Sequence, residues 1–326
     1  MGYFYYRLSF STPVHFGQAE MGGNLERNGH EFSSDSLFSA ICTELAEQGE
    51  AELLQQIVSL TQNGEFRLSD LFPYQDVDGD EMYFLPRPFL FMPGKSSARL
   101  DMKQAMEISK LRKVSKKQPY IRISEIPALL AAMQQGHLYV PKDELKLGNS
   151  SLVERVNCRQ EENPLPYYVG QFTFNENTGL FGIVQMPENF FNTFYNILQS
   201  LGLSGIGGKR SGGYGKFMVD GLFEFDDSLT DIKLLLGLLN DDQAPTQMTI
   251  SIFKPMLNEM DQVKQGQYQL KKRSGFTGHI KRDSVYMVSA GSCFSDRLQG
   301  ELLDIGNGTG HPIWRYGKGL YVGLNI

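Results

Sequence analysis

The chain opens on an alternation. In "YFYYRLSF", Tyr3, Tyr5 and Arg7 alternate with Phe4, Tyr6 and Leu8, which predicts a strand at about 3–10. A loop follows, "STPVHFGQAEMGGNLERNGHEF", and then the period changes. "SSDSLFSAICTELAEQG" puts Leu37, Ala40, Ile41 and Leu45 on one helical face, with Ser34 or Asp35 as N-cap and Gly49 as stop. A second helix is expected over 50–60. Residues 70–95, rich in proline and aromatics, read as loop with short strands, and 96–164 as a polar, basic insertion. "YYVGQFTFNENTGLFGIVQM" (167–186) reads as a hairpin, two apolar runs joined by Asn and Gly. Pro187 opens a helix that carries Phe191, Phe194, Tyr195 and Leu198 at helical spacing. A glycine-rich segment and a strand, "KFMVDGLFEF" (216–225), complete the series.

Without the insertion the order is strand, helix, hairpin, helix, strand. That is the split βαβ pattern of ferredoxin-like and RNA-recognition-motif domains, an antiparallel sheet with two helices on one face. A short apolar helix at 231–240 and a linker, "NDDQAPT", lead to the strand-like runs "QMTISIF", "YQLKKR", "SVYMVSAG", "QGELLDI" and "KGLYVGL". The expected architecture is therefore α+β in two domains. The first, ferredoxin-like, spans 1–240 with an insertion at about 96–164; the second, mostly β, spans 241–326. A length of 326 residues suits two cores, and no internal repeat is visible.

Composition narrows the class. Hydrophobic residues make up 41% and charged residues 21%, and no window reaches the length of a membrane span. The N-terminus lacks a basic region followed by an apolar helix, so a cytoplasmic protein is expected. Cys42, Cys158 and Cys293 stand far apart with no CxxC, and read as reduced residues without a metal. The net charge of −6 argues against a free-standing nucleic-acid binder, yet the cations are gathered. Residues 103–122 hold seven Lys or Arg against one Glu; 205–217 holds Lys209, Arg210 and Lys216; 270–282 holds Lys271, Lys272, Arg273, Lys281 and Arg282 with no acid. The remaining surface is correspondingly negative, as in a protein with one basic channel for an anionic polymer and acidic faces for protein partners.

The middle island, "GIGGKRSGGYGKF" (205–217), has six glycines among thirteen residues. It is not a P-loop: Arg210 sits where the first glycine is required and Phe217 replaces the hydroxyl residue. Nor does it fit GxGxxG, and "GNGTGH" (306–311) ends on His. Lys216 stands where an RNA-recognition motif wants a stacking aromatic. What survives is an anion-binding concavity of accessible N–H groups with Lys209 and Arg210 beside it, suited to phosphodiesters. Tyr214 either stacks on a base or packs into the sheet. The enzymatic rival is a metal-independent ribonuclease with His15 as general base and Lys209 or Tyr214 as helper. No HD pair or two-metal constellation is read from the sequence, and Asp35 reads as a helix cap rather than a metal ligand.

Several blocks together carry a family resemblance. "FSTPVHFG", "FSSDSLFSAI", "LSDLFPY" with "YFLPRPF", "ISKLRKVSKKQPYI", "GIGGKRSGGYGKF" and "LKKRSGFTGH" with "VYMVSAGSCF" resemble, in order and approximate spacing, the fourth subunits of the type III-A CRISPR Csm effector complex. These form part of the Cas-five-like group of the RAMP superfamily. The resemblance covers nearly the whole chain and implies two RAMP domains of ferredoxin-like ancestry, the first carrying an inserted β-hairpin thumb. It implies a non-catalytic, cofactor-free subunit in antiviral defence. Such a subunit grips the repeat-derived 5′ tag of the CRISPR RNA and bridges the large Palm-domain subunit to the backbone RAMP subunits. Carried onto this chain, Gly207, Gly208, Lys209, Arg210 and Ser211 would lie near phosphates. His15, Gly17, Ser34 and Ser36 would lie on the same side. Arg112, Lys113, Lys116 and Lys117 would face RNA or belong to the thumb, and Lys271, Lys272, Arg273 and Ser274 would reach the tag from the second domain. The alternatives are a RAMP endoribonuclease that cuts repeat RNA through His15, and a protein-only assembly module.

Overall fold

The computed structural model describes residues 1–17, 25–91, 118–156, 166–277, 280–281, 283–306 and 310–326, with 102, 106 and 109 in addition. The first part of the chain forms β1 (Gly2–Phe10), α1 (Ser34–Gln48), α2 (Ala51–Gln62), β2 (Arg67–Leu68), β3 (Phe72–Val77), β4 (Asp80–Pro86), β5 (Tyr120–Arg122), α3 (Ile126–Gln134), β6 (Gly148–Val156), β7 (Pro166–Phe174), β8 (Thr178–Met186), α4 (Phe191–Ser204), β9 (Phe217–Glu224) and α5 (Thr230–Asn240). One sheet runs β5-β4-β3-β8-β1-β9, with β2 also on β8. Its centre, β3-β8-β1-β9, is antiparallel throughout and has the strand order of a split βαβ, with α1 and α4 as its helices. The α+β architecture is as the sequence pattern predicts.

The second strand of that motif is not the one expected. β7 and β8, read as a hairpin from composition, are unpaired with each other; β3 and β1 flank β8 instead. The burial explains why. Every residue of β8 except Gln185 is buried, the signature of a central strand, whereas β7 is exposed at Pro166, Tyr168 and Thr173 and pairs with β6 over nine registered positions, from Gly148↔Phe174 to Val156↔Pro166. The short strands expected within 70–95 are β3 and β4, which form a regular hairpin, and the stretch read as an insertion contributes β5 to the edge of the main sheet through Phe84↔Arg122.

β1 sorts its side chains as its alternation requires. Phe4, Tyr6 and Leu8 join Leu37, Phe38 and Ile41 of α1 and Phe194, Leu198 and Leu201 of α4 in one core. Tyr5 joins a second core on the opposite face, with Ile232, Leu235 and Leu239 of α5. RNA-recognition motifs leave that face open for bases. Here it is covered by α5 and offers no open sheet face for bases.

The remainder forms β10 (Thr246–Thr249), α6 (Met260–Gln265), β11 (Leu270–Arg273), β12 (Phe276–Thr277), β13 (Ile280–Lys281), β14 (Val285–Val288), β15 (Cys293–Phe294), β16 (Leu303–Asp304), β17 (Trp314–Arg315) and β18 (Tyr321–Leu324). β15-β10-β18 form a small sheet and β11–β14 a hairpin. Residues 240–241 divide the sequence more than the packing. Met248, Leu320 and Val322 share the core of α5, and Tyr316 lies in the core of α1 and α4. The Tyr316 hydroxyl accepts the Leu68 N–H at 2.7 Å, and the Asp70 carboxylate accepts the Ile252 N–H at 2.9 Å. Among the described residues no helix is long and apolar enough to cross a membrane.

Candidate nucleic-acid interface

The glycine segment leaves α4 and folds back over the first loop. Gly208 N–H donates to His15 O at 2.8 Å, Gly215 N–H to Pro13 O at 2.9 Å and Lys216 N–H to Thr12 Oγ1 at 2.9 Å. Gly207 turns through φ 89°, where a Cβ would lie 2.7 Å from the Phe16 ring; one on Gly208 would lie 2.7 Å from His15 Cδ2. These two glycines are therefore needed by the protein's own first loop, a demand invisible in the segment's composition. Among the described residues, the N–H groups of Gly207, Lys209, Arg210 and Ser211 find no acceptor. Lys209 is left-handed at φ 62°, ψ 24° and leads into a tight turn at Arg210–Gly212. This alternation of hand turns successive N–H groups toward one concavity, the geometry of an anion-binding nest.

The β6–β7 hairpin closes one side of it. His15, buried, holds Gly170 O at 2.7 Å through Nδ1; a carbonyl only accepts, so Nδ1 carries a proton. The Tyr214 phenol donates to Gln171 Oε1 at 2.9 Å and accepts from Arg155 Nη2 at 3.1 Å. Tyr214 is 6% exposed, so of its two sequence-based roles packing is the one realised, and it is corrected as a stacking platform. Lys209 Nζ lies 5.1 Å over the Tyr167 ring and Arg210 stands 3.6 Å from Glu47. Both cations remain partly exposed, and Ser211 is exposed. The expected residues Gly207, Gly208, Lys209, Arg210 and Ser211 thus share one surface with His15, and a Cβ on Gly17 would lie 4.0 Å from the imidazole Nε2.

The third basic island meets the first domain at the start of α1. Phe16 N–H donates to Asn28 Oδ1 at 2.8 Å, and a few residues on Glu31 pairs with Lys271 at 3.0 Å. Arg273 takes Asp35 with two nitrogens, Nε to Oδ2 at 2.8 Å and Nη2 to Oδ1 at 2.9 Å; Arg315 adds Nη1 to Oδ2 at 2.6 Å. Asp35 is fully buried. Burial pushes its carboxyl upward, but Arg273 and Arg315 outweigh that and hold it below its ordinary value. Asp35 is consequently an ion-pair anchor, and the cap position belongs to Ser33. Ser34 is corrected as an RNA contact: it is fully buried and donates to Asp70 Oδ1 at 2.8 Å. Ser36 accepts from Arg273 at 2.6 Å, so both are engaged inside the protein. Lys272 is exposed, and Ser274 is half-buried.

Arg112, Lys113, Lys116 and Lys117 lie outside the described residues. Asp76, Asp78 and Asp80 alternate across the β3–β4 turn, outside the expected site residues. Asp76 accepts the Gly79 N–H at 2.8 Å and Asp80 pairs with Arg122 at 2.9 Å, so the run serves a turn and an ion pair. No group of His, Cys, Asp or Glu able to hold a metal is found among the described residues.

Comparison with known proteins agrees with this geometry. Residues 242–324 match the model of the CRISPR Csm4 C-terminal domain. The chain is 26% identical over 328 residues to a CRISPR system Cms protein Csm4 of Mycobacterium tuberculosis, covering 98% of this chain and 97% of the relative. It is 25% identical to the Csm4 of Streptococcus thermophilus, covering the whole of both chains. The chain thus carries a Csm4 C-terminal domain and is similar over its whole length to Csm4 proteins. Solved folds agree end to end. The chain superposes with TM-score 0.64 and 14% identity on one from a Csm3–Csm4 subcomplex of the type III-A CRISPR-Cas interference complex, covering 100% of each. It superposes with TM-score 0.59 and 16% identity on one from a Csm1–Csm4 cassette in complex with pppApA, covering 99% and 98%.

Proposed function

We propose that the chain is a non-catalytic, RNA-binding subunit of a cytoplasmic type III-A CRISPR Csm interference complex that holds the repeat-derived 5′ tag of the CRISPR RNA. The observation that carries this is the nest at Gly207 and Lys209–Ser211, whose N–H groups lack protein acceptors and whose flanking cations are partly exposed. A single-stranded tag places phosphate oxygens on those N–H groups, while Lys209 and Arg210 supply the charge that exceeds what neutral donors give. Held in this way, its bases are free to be read individually. The remaining acidic surface serves protein contacts. Folds of this type occur in assemblies of Csm4 with Csm1 and with Csm3. They support a bridge between the large Palm-domain subunit and the backbone RAMP subunit.

The nuclease reading has less support. His15 spends one ring nitrogen on Gly170 and its ring lies beneath Gly208, and Tyr214 is committed to Gln171 and Arg155. The test is RNA binding across salt. Lys209→Ala/Arg210→Ala should weaken binding of repeat-derived RNA and lower the slope of log K against log salt by about 1.4, at ~0.7 per lost contact on a single strand. An unchanged slope removes the reading.

A further inference from the structure

The second domain's basic island lies on a hairpin rooted at one end only. β11 pairs with β14, whose Met287 and Val288 are buried in the second domain, whereas Lys272 and Tyr286 toward the other end are exposed. Two ion pairs tie this end to the first domain. Lys271–Glu31 is partly exposed on both sides, a type of pair that contributes little. Arg273–Asp35 is bidentate on a fully buried carboxylate. The same carboxylate takes Arg315, whose neighbour Tyr316 is buried in the core of α1 and α4, and the Ser33 hydroxyl at 2.6 Å. Asp35 is thus fixed by the body of the molecule, and Arg273 reaches it from the hairpin.

We propose that Asp35 is a positioning residue: it grips Arg273 and so holds β11–β14, with Lys271 and Lys272, in line with the glycine segment. The purpose rests on the RNA-binding reading above; the grip rests on the geometry. Arg273 then acts through Asp35 and not on RNA, because Nε and Nη2, the nitrogens that would form a bidentate phosphate contact, are occupied by the carboxylate. The line is continuous: Lys271 meets Glu31, which follows Asn28, which holds Phe16, whose ring backs Gly207.

The experiment compares the full-length chain with Arg273→Gln, which leaves Asp35 paired to Arg315, and with Asp35→Asn. Hydrogen exchange should rise about tenfold over 272–273 and 285–286 in Arg273→Gln, with the central sheet unchanged. Binding of a fluorescein-labelled repeat-derived RNA should fall roughly tenfold, and that loss should shrink to under about twofold in a Lys271→Ala/Lys272→Ala background. Unchanged exchange overturns the grip. Faster exchange with an RNA loss that adds fully to that of the lysines overturns the positioning role, since Arg273 would then touch phosphate independently. A failure of the RNA reading shows separately, as unchanged binding in Lys209→Ala/Arg210→Ala, and exchange still decides the grip.

Discussion

The phenol of Tyr214 donates to Gln171 Oε1 at 2.9 Å, tying the glycine segment to the base of the β6–β7 hairpin. Arg155, on the facing strand, donates to the Tyr214 hydroxyl oxygen at 3.1 Å. Tyr214→Phe removes both bonds while keeping the ring. We expect a stability loss of about 1 kcal/mol and faster exchange at 167–171, with RNA affinity within about twofold of the parent. A base-stacking tyrosine would give the reverse outcome for Tyr214→Ala alone, a loss of RNA affinity without loosening of the hairpin.

Two glycines of the segment should respond oppositely to a methyl group. Gly207→Ala forces a Cβ against Phe16 at 2.7 Å with φ at 89°, and should cost more than about 2 kcal/mol in denaturant unfolding. Gly212→Ala meets only the Tyr214 ring edge at 3.8 Å and has no positive φ, so it should lie within about 1 kcal/mol of the parent. Equal losses would show that the fold makes no distinction between the two glycines.

Asp35 and Asp70 are both fully buried, yet they are displaced in opposite directions. Asp35 is held low by Arg273 and Arg315 against burial. The folded chain therefore binds fewer protons there, and its stabilisation, present above the unfolded value of about 3.9, is lost as pH falls through the folded value. Burial raises Asp70 despite the N–H donors of Ser34 and Ile252, so its contribution is lost as pH rises from the unfolded value through the folded one. At pH 7 Asp35→Asn should cost about 3 kcal/mol by stranding two guanidinium groups. Asp70→Asn should be neutral or stabilising, since its amide oxygen can accept from the same three donors. Thermal unfolding at pH 4 and pH 7 measures both.

His15 supplies the test of catalysis. Metal-free incubation of the chain with repeat RNA should leave the RNA intact on a denaturing gel. Cleavage abolished in His15→Ala would establish the ribonuclease reading instead.

Both described thiols are raised to about 12 by burial, Cys42 in α1 and Cys293 in β15. Neither should react with a thiol reagent at pH 7 in the native state, and both should react on unfolding.

Local periodicity was sufficient to determine β1 and the two helices of the split βαβ, because a strand's two faces and a helix's one stripe are written in neighbouring residues. The alternation of Phe4, Tyr6 and Leu8 against Tyr5 reappears as two separate cores. The crowding of glycine and cation at 205–217 was also legible, as was the family pattern. Pairing was not. β7 and β8 look alike in composition, and only the presence of β3 and β1 on either side of β8 decides that β7 turns away to β6.

The same division runs through the site. Composition marks Lys209 and Arg210, but which N–H groups remain without acceptors depends on how Pro13 and His15 approach from nearly two hundred residues away. Asp35 reads as a helix cap because its neighbours are all the sequence offers; Arg273 and Arg315 reach it only through the folded second domain. The sequence alone determined the elements and the charge, since both are local. Tertiary structure decided strand partners, free donors and the anchor, since each depends on groups brought together across the whole chain.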